Sequence, residues 1–359
     1  MSQIIKTGSG HFEELFRELD PKNILFVCDA SFPFLPDDIK NIYYSHKDKI
    51  TLFDKFTPNP LYEQVAEGVD QFRKNDCDVI LAIGGGSAID VAKCIKLYCK
   101  MDPKENYLKQ ECRDSEIPLI AIPTTAGTGS ESTRYAVIYF EGKKQSISHE
   151  SIVPNYVILE PGVLKTLPQG QKRATMLDAL CQGIESWWSV NSTDESTAYS
   201  KKAVDTILAN YKKYIFENDD GAAREIMLAA NYAGRAINIT QTTAAHAMSY
   251  KITSLYKIPH GAAVAICLPE VWEYMLAHPE KCIDGRGGEY LSKTLSEISI
   301  GLDAFKSLIA ELEMAYPKSE DREKDIAVLT ASVNPVRLRN FPIELSTDVL
   351  RGMYERIVK

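Results

Sequence analysis

The apolar run Val79-Ile80-Leu81-Ala82-Ile83 stops on Gly84-Gly85-Gly86-Ser87 and resumes as Ala88-Ile89-Asp90-Val91-Ala92-Lys93, which has the spacing of an amphipathic helix. A short apolar run that passes through glycines into a helix opens a parallel β-α unit, because the helix must pack back over the sheet that its strand joins. Apolar runs at 23–28 and 117–122 repeat the pattern, with helical stretches around them. The first half therefore predicts a parallel sheet covered by helices. Near 161–168 the texture changes. From about 171 to 277 apolar residues recur three and four apart with few β-branched runs, a second helical stretch is expected over 291–312, and Ser346 stands as the N-cap of a last helix ending near 358. The residues at 317–324 form a charged connection. The expected organisation is a Rossmann-like α/β domain over 1–165 and an all-α domain over 166–359.

A chain of 359 residues is too long for one core, which agrees with two domains and provides a cleft between them. A formal net charge of −8 gives no electrostatic reason to expect nucleic acid. Neither the N-terminal segment at 1–8 nor any later stretch has the apolar run that a leader or a membrane span needs, so the expected location is the cytoplasm. The 8 cysteines, Cys28, Cys77, Cys94, Cys99, Cys112, Cys181, Cys267 and Cys282, form no CxxC pair and read as reduced thiols. Cys181 adjoins the candidate metal ligands. There is no internal repeat and no low-complexity tract.

Glycines at a strand-to-helix turn let the backbone approach a pyrophosphate, and the N–H groups and dipole of the helix N-terminus favour its charge. Gly85, Gly86 and Ser87 are the candidate contacts; a tight βα turn with no ligand has the same glycines. A second small-residue segment, Pro123-Thr124-Thr125-Ala126-Gly127-Thr128-Gly129-Ser130-Glu131, also follows an apolar run, and two such loops at adjacent strand ends point to a ligand more strongly than either alone. Asp29 ends the first apolar run, where a carboxylate would accept hydrogen bonds from an adenine ribose and repel a 2′-phosphate, favouring NAD(H) over NADP(H). A surface-turn aspartate is the competing reading, since in the common fingerprint the acid follows the glycines.

In the helical half, Asp178 and Gln182 are four apart and share a helix face, His246 lies in Thr243-Ala244-Ala245-His246-Ala247-Met248, and His260 stands in Pro259-His260-Gly261. Each histidine alone reads as a core or turn residue. Together, one carboxylate, one amide and two imidazoles form a mixed O/N set that suits Fe2+ or Zn2+ with an open position. Such an ion polarises a carbonyl or lowers an alcohol's pKa, which hydride transfer requires.

The segments at 84–93 and 123–131, with Asp178-Ala179-Leu180-Cys181-Gln182, His246-Ala247-Met248 and Pro259-His260-Gly261, resemble the iron-containing (group III) alcohol dehydrogenases over almost the whole chain. The resemblance implies the dehydroquinate synthase-like fold of that family, a dinucleotide in the cleft, metal ligands at Asp178, His246 and His260, and dimers or larger homo-oligomers. It implies cofactor contacts at Gly85, Gly86, Ser87, Thr124, Thr125 and Thr128, and at Asp29, Asn59 and Lys144. The chain departs from the family pattern at Gln182 and Tyr250, both positions where histidine is usual. The first leaves a three-ligand site resembling that of the zinc-dependent glycerol dehydrogenases, to which Gln182 adds an amide oxygen. The second takes away a histidine-based proton relay and leaves Tyr250, or solvent, as the proton donor.

Within the family, the stretches at 178–193, 242–260 and 334–340 resemble phosphonoacetaldehyde reductases, which make 2-hydroxyethylphosphonate. Arg134, after the Thr-Gly loop, would hold a phosphonate by paired hydrogen bonds, with Lys251 and His149 as further candidates. The expected function is a metal-dependent NAD(P)H-linked aldehyde reductase. A plain short-chain aldehyde or succinic semialdehyde competes with the phosphonate. A lyase of the dehydroquinate synthase kind, or a dinucleotide-binding protein with a degraded metal site, are the other readings.

Overall fold

The computed structural model describes residues 3–359; Met1 and Ser2, part of the N-terminal segment read above, lie outside them. The chain divides into two compact units at Leu167/Pro168.

The first unit is built on six parallel strands, β1 (Ile4–Thr7), β2 (Ile24–Cys28), β3 (Ile50–Phe53), β4 (Val79–Gly84), β5 (Leu119–Pro123) and, after a hairpin of β6 (Tyr135–Phe140) and β7 (Lys143–Ser148), β8 (Tyr156–Leu159). Their order across the sheet is β1-β8-β5-β4-β2-β3. The strands β2, β4 and β5 are buried along their whole length. That burial is the reason they read as unbroken apolar runs: a parallel sheet covered on both faces has no solvent side to demand alternation. The helices are α1 (Phe12–Leu19), α2 (Asp37–Ser45), α3 (Tyr62–Lys74) and α4 (Gly86–Tyr98). Sequence order runs outward from β2 to β3 and then returns to place β4 on the other side of β2, so the sheet has its topological switch point between β2 and β4. Open α/β sheets bind ligands at the carboxyl ends of the strands at such a point. Asp29 follows β2 there, and Gly85 follows β4.

The β6–β7 hairpin was not anticipated from the sequence. Its turn, Glu141-Gly142, has positive φ at both residues, the geometry that matches the twist of a two-residue hairpin. Lys93 and Asp90 of α4 hold its first strand: Lys93 Nζ donates to Tyr135 O at 2.8 Å, and Val137 N donates to Asp90 Oδ2 at 2.9 Å.

The second unit is helical: α5 (Gln169–Trp188), α6 (Asp194–Lys212), α7 (Asp220–Thr240), α8 (Ala244–Tyr256), α9 (His260–Ala277), α10 (Gly287–Glu297), α11 (Leu302–Glu311), α12 (Arg322–Ser332), α13 (Pro335–Leu338) and α14 (Thr347–Ile357). The buried α5 packs against α6, α7 and α9, and α8 packs against α9. Ser346 caps α14 as expected, its side chain accepting from Val349 N at 3.3 Å. The stretch expected as one helix over 291–312 is two. Ile298 takes an extended conformation after α10, and Gly301 is the N-cap of α11. Ile298 and Ile300 are both buried on either side of the exposed Ser299, and the extended segment lets both apolar side chains leave water. Part of the connection at 317–324 is also helical: α12 starts at Arg322, with Asp321 as its cap.

Candidate active site

At the switch point of the first unit, the strand register sets Cys28 beside Ile83 and Gly84 beside Pro123. The three segments singled out in the sequence thus leave the sheet side by side. Asp29 Oδ1 accepts from Ser31 N at 2.9 Å and from Ser31 Oγ at 2.5 Å, and Asp29 Oδ2 accepts from Gly85 N at 3.2 Å. The carboxylate therefore braces the glycine loop from the end of β2. Thr124 N donates to Gly84 O at 3.0 Å, which ties the second loop to the first. A Cβ placed on Gly85 would have Thr125 Cγ2 as its nearest neighbour, at 3.6 Å, and the φ of −74° is open to any residue. Backbone strain therefore does not require a glycine there, and the position is open to the close approach of a ligand. Gly85, Gly86 and Ser87 are half-exposed at the N-terminus of α4, a 13-residue helix whose dipole favours an anion. Thr125 and Thr128 are half-buried beside them.

Asn59 and Lys144 converge on one strand. Pro60 O accepts from Tyr139 N at 2.8 Å, and Tyr139 pairs with Lys144 across the hairpin. Asn59 is exposed and has φ of 59°. Burial raises the Asp90 carboxyl, opposed by the charges of Lys93 and Lys144 and by hydrogen bonds from Ser130 and Val137. Burial likewise pushes Lys93 down to about 8, against the pull of Asp90 and Glu131.

Arg134 has a partner that was not foreseen. Its guanidinium forms an ion pair with Glu150, donates from Nε to Tyr135 Oη at 3.2 Å, and lies over the Tyr135 ring at 5.4 Å. His149 Nδ1 is hydrogen-bonded to Ser151 Oγ at 2.8 Å, and Lys251 is half-buried on α8.

In the second unit, ligand atoms of Asp178, His246 and His260 all lie within 4.8 Å of one another. Asp178 comes from α5, His246 from the first turn of α8 and His260 from the first residue of α9. Gly261 makes that convergence possible: a Cβ at this position would sit 1.9 Å from Ala174 O and 2.8 Å from Asp178 Cβ. Any other residue there would push α9 off α5. His246 Nε2 is 3.2 Å from Asp178 Oδ1, the rings of His246 and His260 meet edge to face at 5.5 Å, and Tyr250 stacks on His260 at 5.6 Å with ring planes 9° apart. Gln182, one turn after Asp178, is buried and hydrogen-bonded to it. Cys181, between Asp178 and Gln182, is fully buried, and burial, then the charges of Glu185 and Asp178, push its thiol well above the ordinary range.

Glu185, one further turn along α5, was not singled out in the sequence. Its buried carboxylate binds His246 Nδ1 directly, so two carboxylates flank one imidazole. Burial opposes a charged His246, but the pull of Glu185 and the hydrogen bonds to Asp178 and Glu185 outweigh it and raise the imidazole to about 10. Asp178 is held below the usual carboxylate range: burial opposes this, and hydrogen bonds and charges from His246 and His260 prevail. Two buried carboxylates, Asp178 and Glu185, bring negative charge to the cluster that a divalent cation offsets, and one oxygen with two imidazole nitrogens is a donor set for Fe2+ or Zn2+. The residues fit such an ion. All 8 cysteines are free and 6 of them are buried, as read from their spacing. No helix among the described residues is long and apolar enough to cross a membrane.

Residues 2–161 match the iron-containing alcohol dehydrogenases, and residues 172–330 match the C-terminal part of the same Fe-containing alcohol dehydrogenase family. The chain belongs to the iron-containing alcohol dehydrogenase family. Among relatives of this iron-containing alcohol dehydrogenase, the NAD-dependent methanol dehydrogenase of Bacillus methanolicus is 30% identical over 342 residues, covering 90% of this chain and 89% of that protein. The phosphonoacetaldehyde reductase of Streptomyces viridochromogenes is 32% identical over 254 residues, 67% of this chain and 64% of that protein. The fold is shared with the sulfoacetaldehyde reductase of Bifidobacterium kashiwanohense solved with NAD+, at a TM-score of 0.86 and 24% identity, over 99% of this chain and 96% of that one. The α/β unit and the helical unit of the iron-containing alcohol dehydrogenases are thus the architecture that the motifs implied.

Proposed function

We propose that the protein is an NAD(H)-linked, metal-dependent aldehyde reductase whose substrate is phosphonoacetaldehyde, reduced to 2-hydroxyethylphosphonate. The observation that carries the metal-dependent chemistry is the convergence of Asp178, His246 and His260 from three helices. Asp178, His246, His260 and the amide of Gln182 would hold the ion. When bound, the divalent cation supplies the Lewis acidity that polarises the carbonyl, and the reduced nicotinamide supplies two electrons with a proton as hydride. The loop from Gly85 to Ser87, with Thr124, Thr125 and Thr128, would bind the pyrophosphate at the α4 N-terminus. Asp29 would select an unphosphorylated adenine ribose. Asn59 and Lys144 would support the dinucleotide from the hairpin side. Tyr250, stacked on His260, would return a proton to the developing alkoxide from its hydroxyl.

The phosphonate assignment is supported by the 32% identity to a phosphonoacetaldehyde reductase. Arg134 would grip the anionic tail by exchanging the Glu150 carboxylate for the phosphonate, a bidentate pairing. The same ion pair favours a second reading, in which Arg134 is already neutralised and the substrate is an uncharged short-chain aldehyde, in keeping with the longer match to a methanol dehydrogenase. NADH oxidation by the metal-reconstituted protein, compared on phosphonoacetaldehyde, succinic semialdehyde and an uncharged aldehyde of similar size, separates the two. The phosphonate reading predicts at least a tenfold higher kcat/KM on phosphonoacetaldehyde, lost in Arg134→Ala; equal rates on the uncharged aldehyde would contradict it.

A further inference from the structure

Asp178, Gln182 and Glu185 lie four and three apart along α5 and share one face of that helix. The first two belong to the candidate metal site. Glu185 is fully buried, which costs several kcal/mol for a carboxylate unless its oxygens are well satisfied. They are. Oε1 accepts from Thr243 Oγ1 at 2.7 Å, Ala245 N at 2.9 Å and His246 N at 3.4 Å, and Oε2 is bound to His246 Nδ1. Thr243 Oγ1 in turn accepts from the indole Nε1 of Trp188 at 3.0 Å, so the last turn of α5 and the first turn of α8 form one closed buried network.

From this geometry we infer that Glu185 is the positioning residue of the metal site. It acts through His246: by accepting from Nδ1 it leaves Nε2, the nitrogen that faces Asp178, as the one available to the ion. This rests on the metal-dependent reading above. An imidazole ligates through a nitrogen without a proton, and the partner of the opposite nitrogen decides which one that is. Three donors crowd Oε1, and only Oε2 is left for the ring, so the direction of the Nδ1 hydrogen bond is set by charge and not by packing alone.

Glu185→Gln tests this because it keeps the shape and inverts the polarity. In the variant, the amide oxygen must stay with the donors of Thr243, Ala245 and His246. The amide NH2 then faces His246 Nδ1, which has to become an acceptor, leaving the proton on Nε2 where the ion would bind.

The metal-depleted full-length protein is titrated with Zn2+, and its imidazole 15N resonances are recorded at zinc saturation, where the wild type should show a metal-bound His246 Nε2 and a proton on Nδ1. Glu185→Gln should bind Zn2+ about 10–100-fold more weakly and keep the wild-type far-ultraviolet circular dichroism. Thr243→Val, which removes one of the groups holding Glu185, should weaken zinc by a smaller factor, and it serves as the test if the glutamine variant does not fold. Zinc affinity unchanged in Glu185→Gln, or in Thr243→Val when that variant must stand in, would overturn the inference. A wild type that takes up no Zn2+ would remove the metal reading itself, and this inference with it.

Discussion

Lys96 shows how single buried charges are tolerated in the first unit. It is 1% exposed, and its ammonium donates to Asn155 Oδ1 at 2.8 Å. Burial pushes it down from 10.5 to about 8, with Cys99 opposing weakly. A lysine depressed in the folded state binds fewer protons than in the unfolded chain between those two values. Its burial therefore costs stability that is fully present below pH 8 and disappears as the pH rises through 10.5. Asn155 Oδ1 also accepts from Leu119 N at 3.0 Å, so it remains satisfied without the lysine. Lys96→Met should then be more stable than wild type near pH 7, by on the order of 2 kcal/mol, with a gap that narrows by about pH 9.5 in urea unfolding. A variant less stable than wild type near pH 7 would refute this account. The same scale marks what composition hides. Gly85 and His260 stand out by residue type beside an apolar run or a turn. Glu185 and the Arg134–Glu150 pair do not, because a glutamate on a helix reads as a solvated face until its neighbours in space are known.

At the scale of elements, the site depends on how closely α9 approaches α5. Only the absence of a side chain at Gly261 permits the contact with Ala174 O and Asp178 Cβ. Gly261→Ala should cost at least about 2 kcal/mol and lower the affinity for Zn2+, because the added methyl separates His260 from Asp178. Gly170→Ala, where a Cβ would meet nothing within 4 Å, is the control and should change stability by less than about 1 kcal/mol. Equal unfolding midpoints for the two variants would contradict the close packing. The buried strands β2, β4 and β5 and the long α5 were legible because their burial imposes a period that survives in one dimension. The β6–β7 hairpin was not: its half-exposed strands carry Lys143, Lys144 and Gln145, and what holds it is the buried Lys93 with Asp90 on α4, a contact between segments about 45 residues apart. The break at Ile298–Gly301 was equally hidden, since Ile298 and Ile300 fit a helical stripe as well as a buried connection.

For the whole molecule, the account assigns the dinucleotide to one unit and the metal to the other, each on its own residues. The family and the fold followed from the order of a few motifs along the chain, because glycines after strands and histidines at helix starts occupy positions that the architecture fixes. The substrate did not, since it depends on side chains such as Arg134 whose partners the sequence cannot show. The most direct test is to measure NADH binding, metal content and NADH-dependent aldehyde reduction together, in wild type, in metal-depleted wild type and in His260→Ala. The account predicts that depletion and the substitution each remove at least 99% of turnover, that added Zn2+ or Fe2+ restores only the wild type, and that all three forms still bind NADH within about threefold of one another, since each unit holds its ligand by its own contacts. Full turnover in the metal-depleted wild type, or in His260→Ala without bound metal, would contradict it.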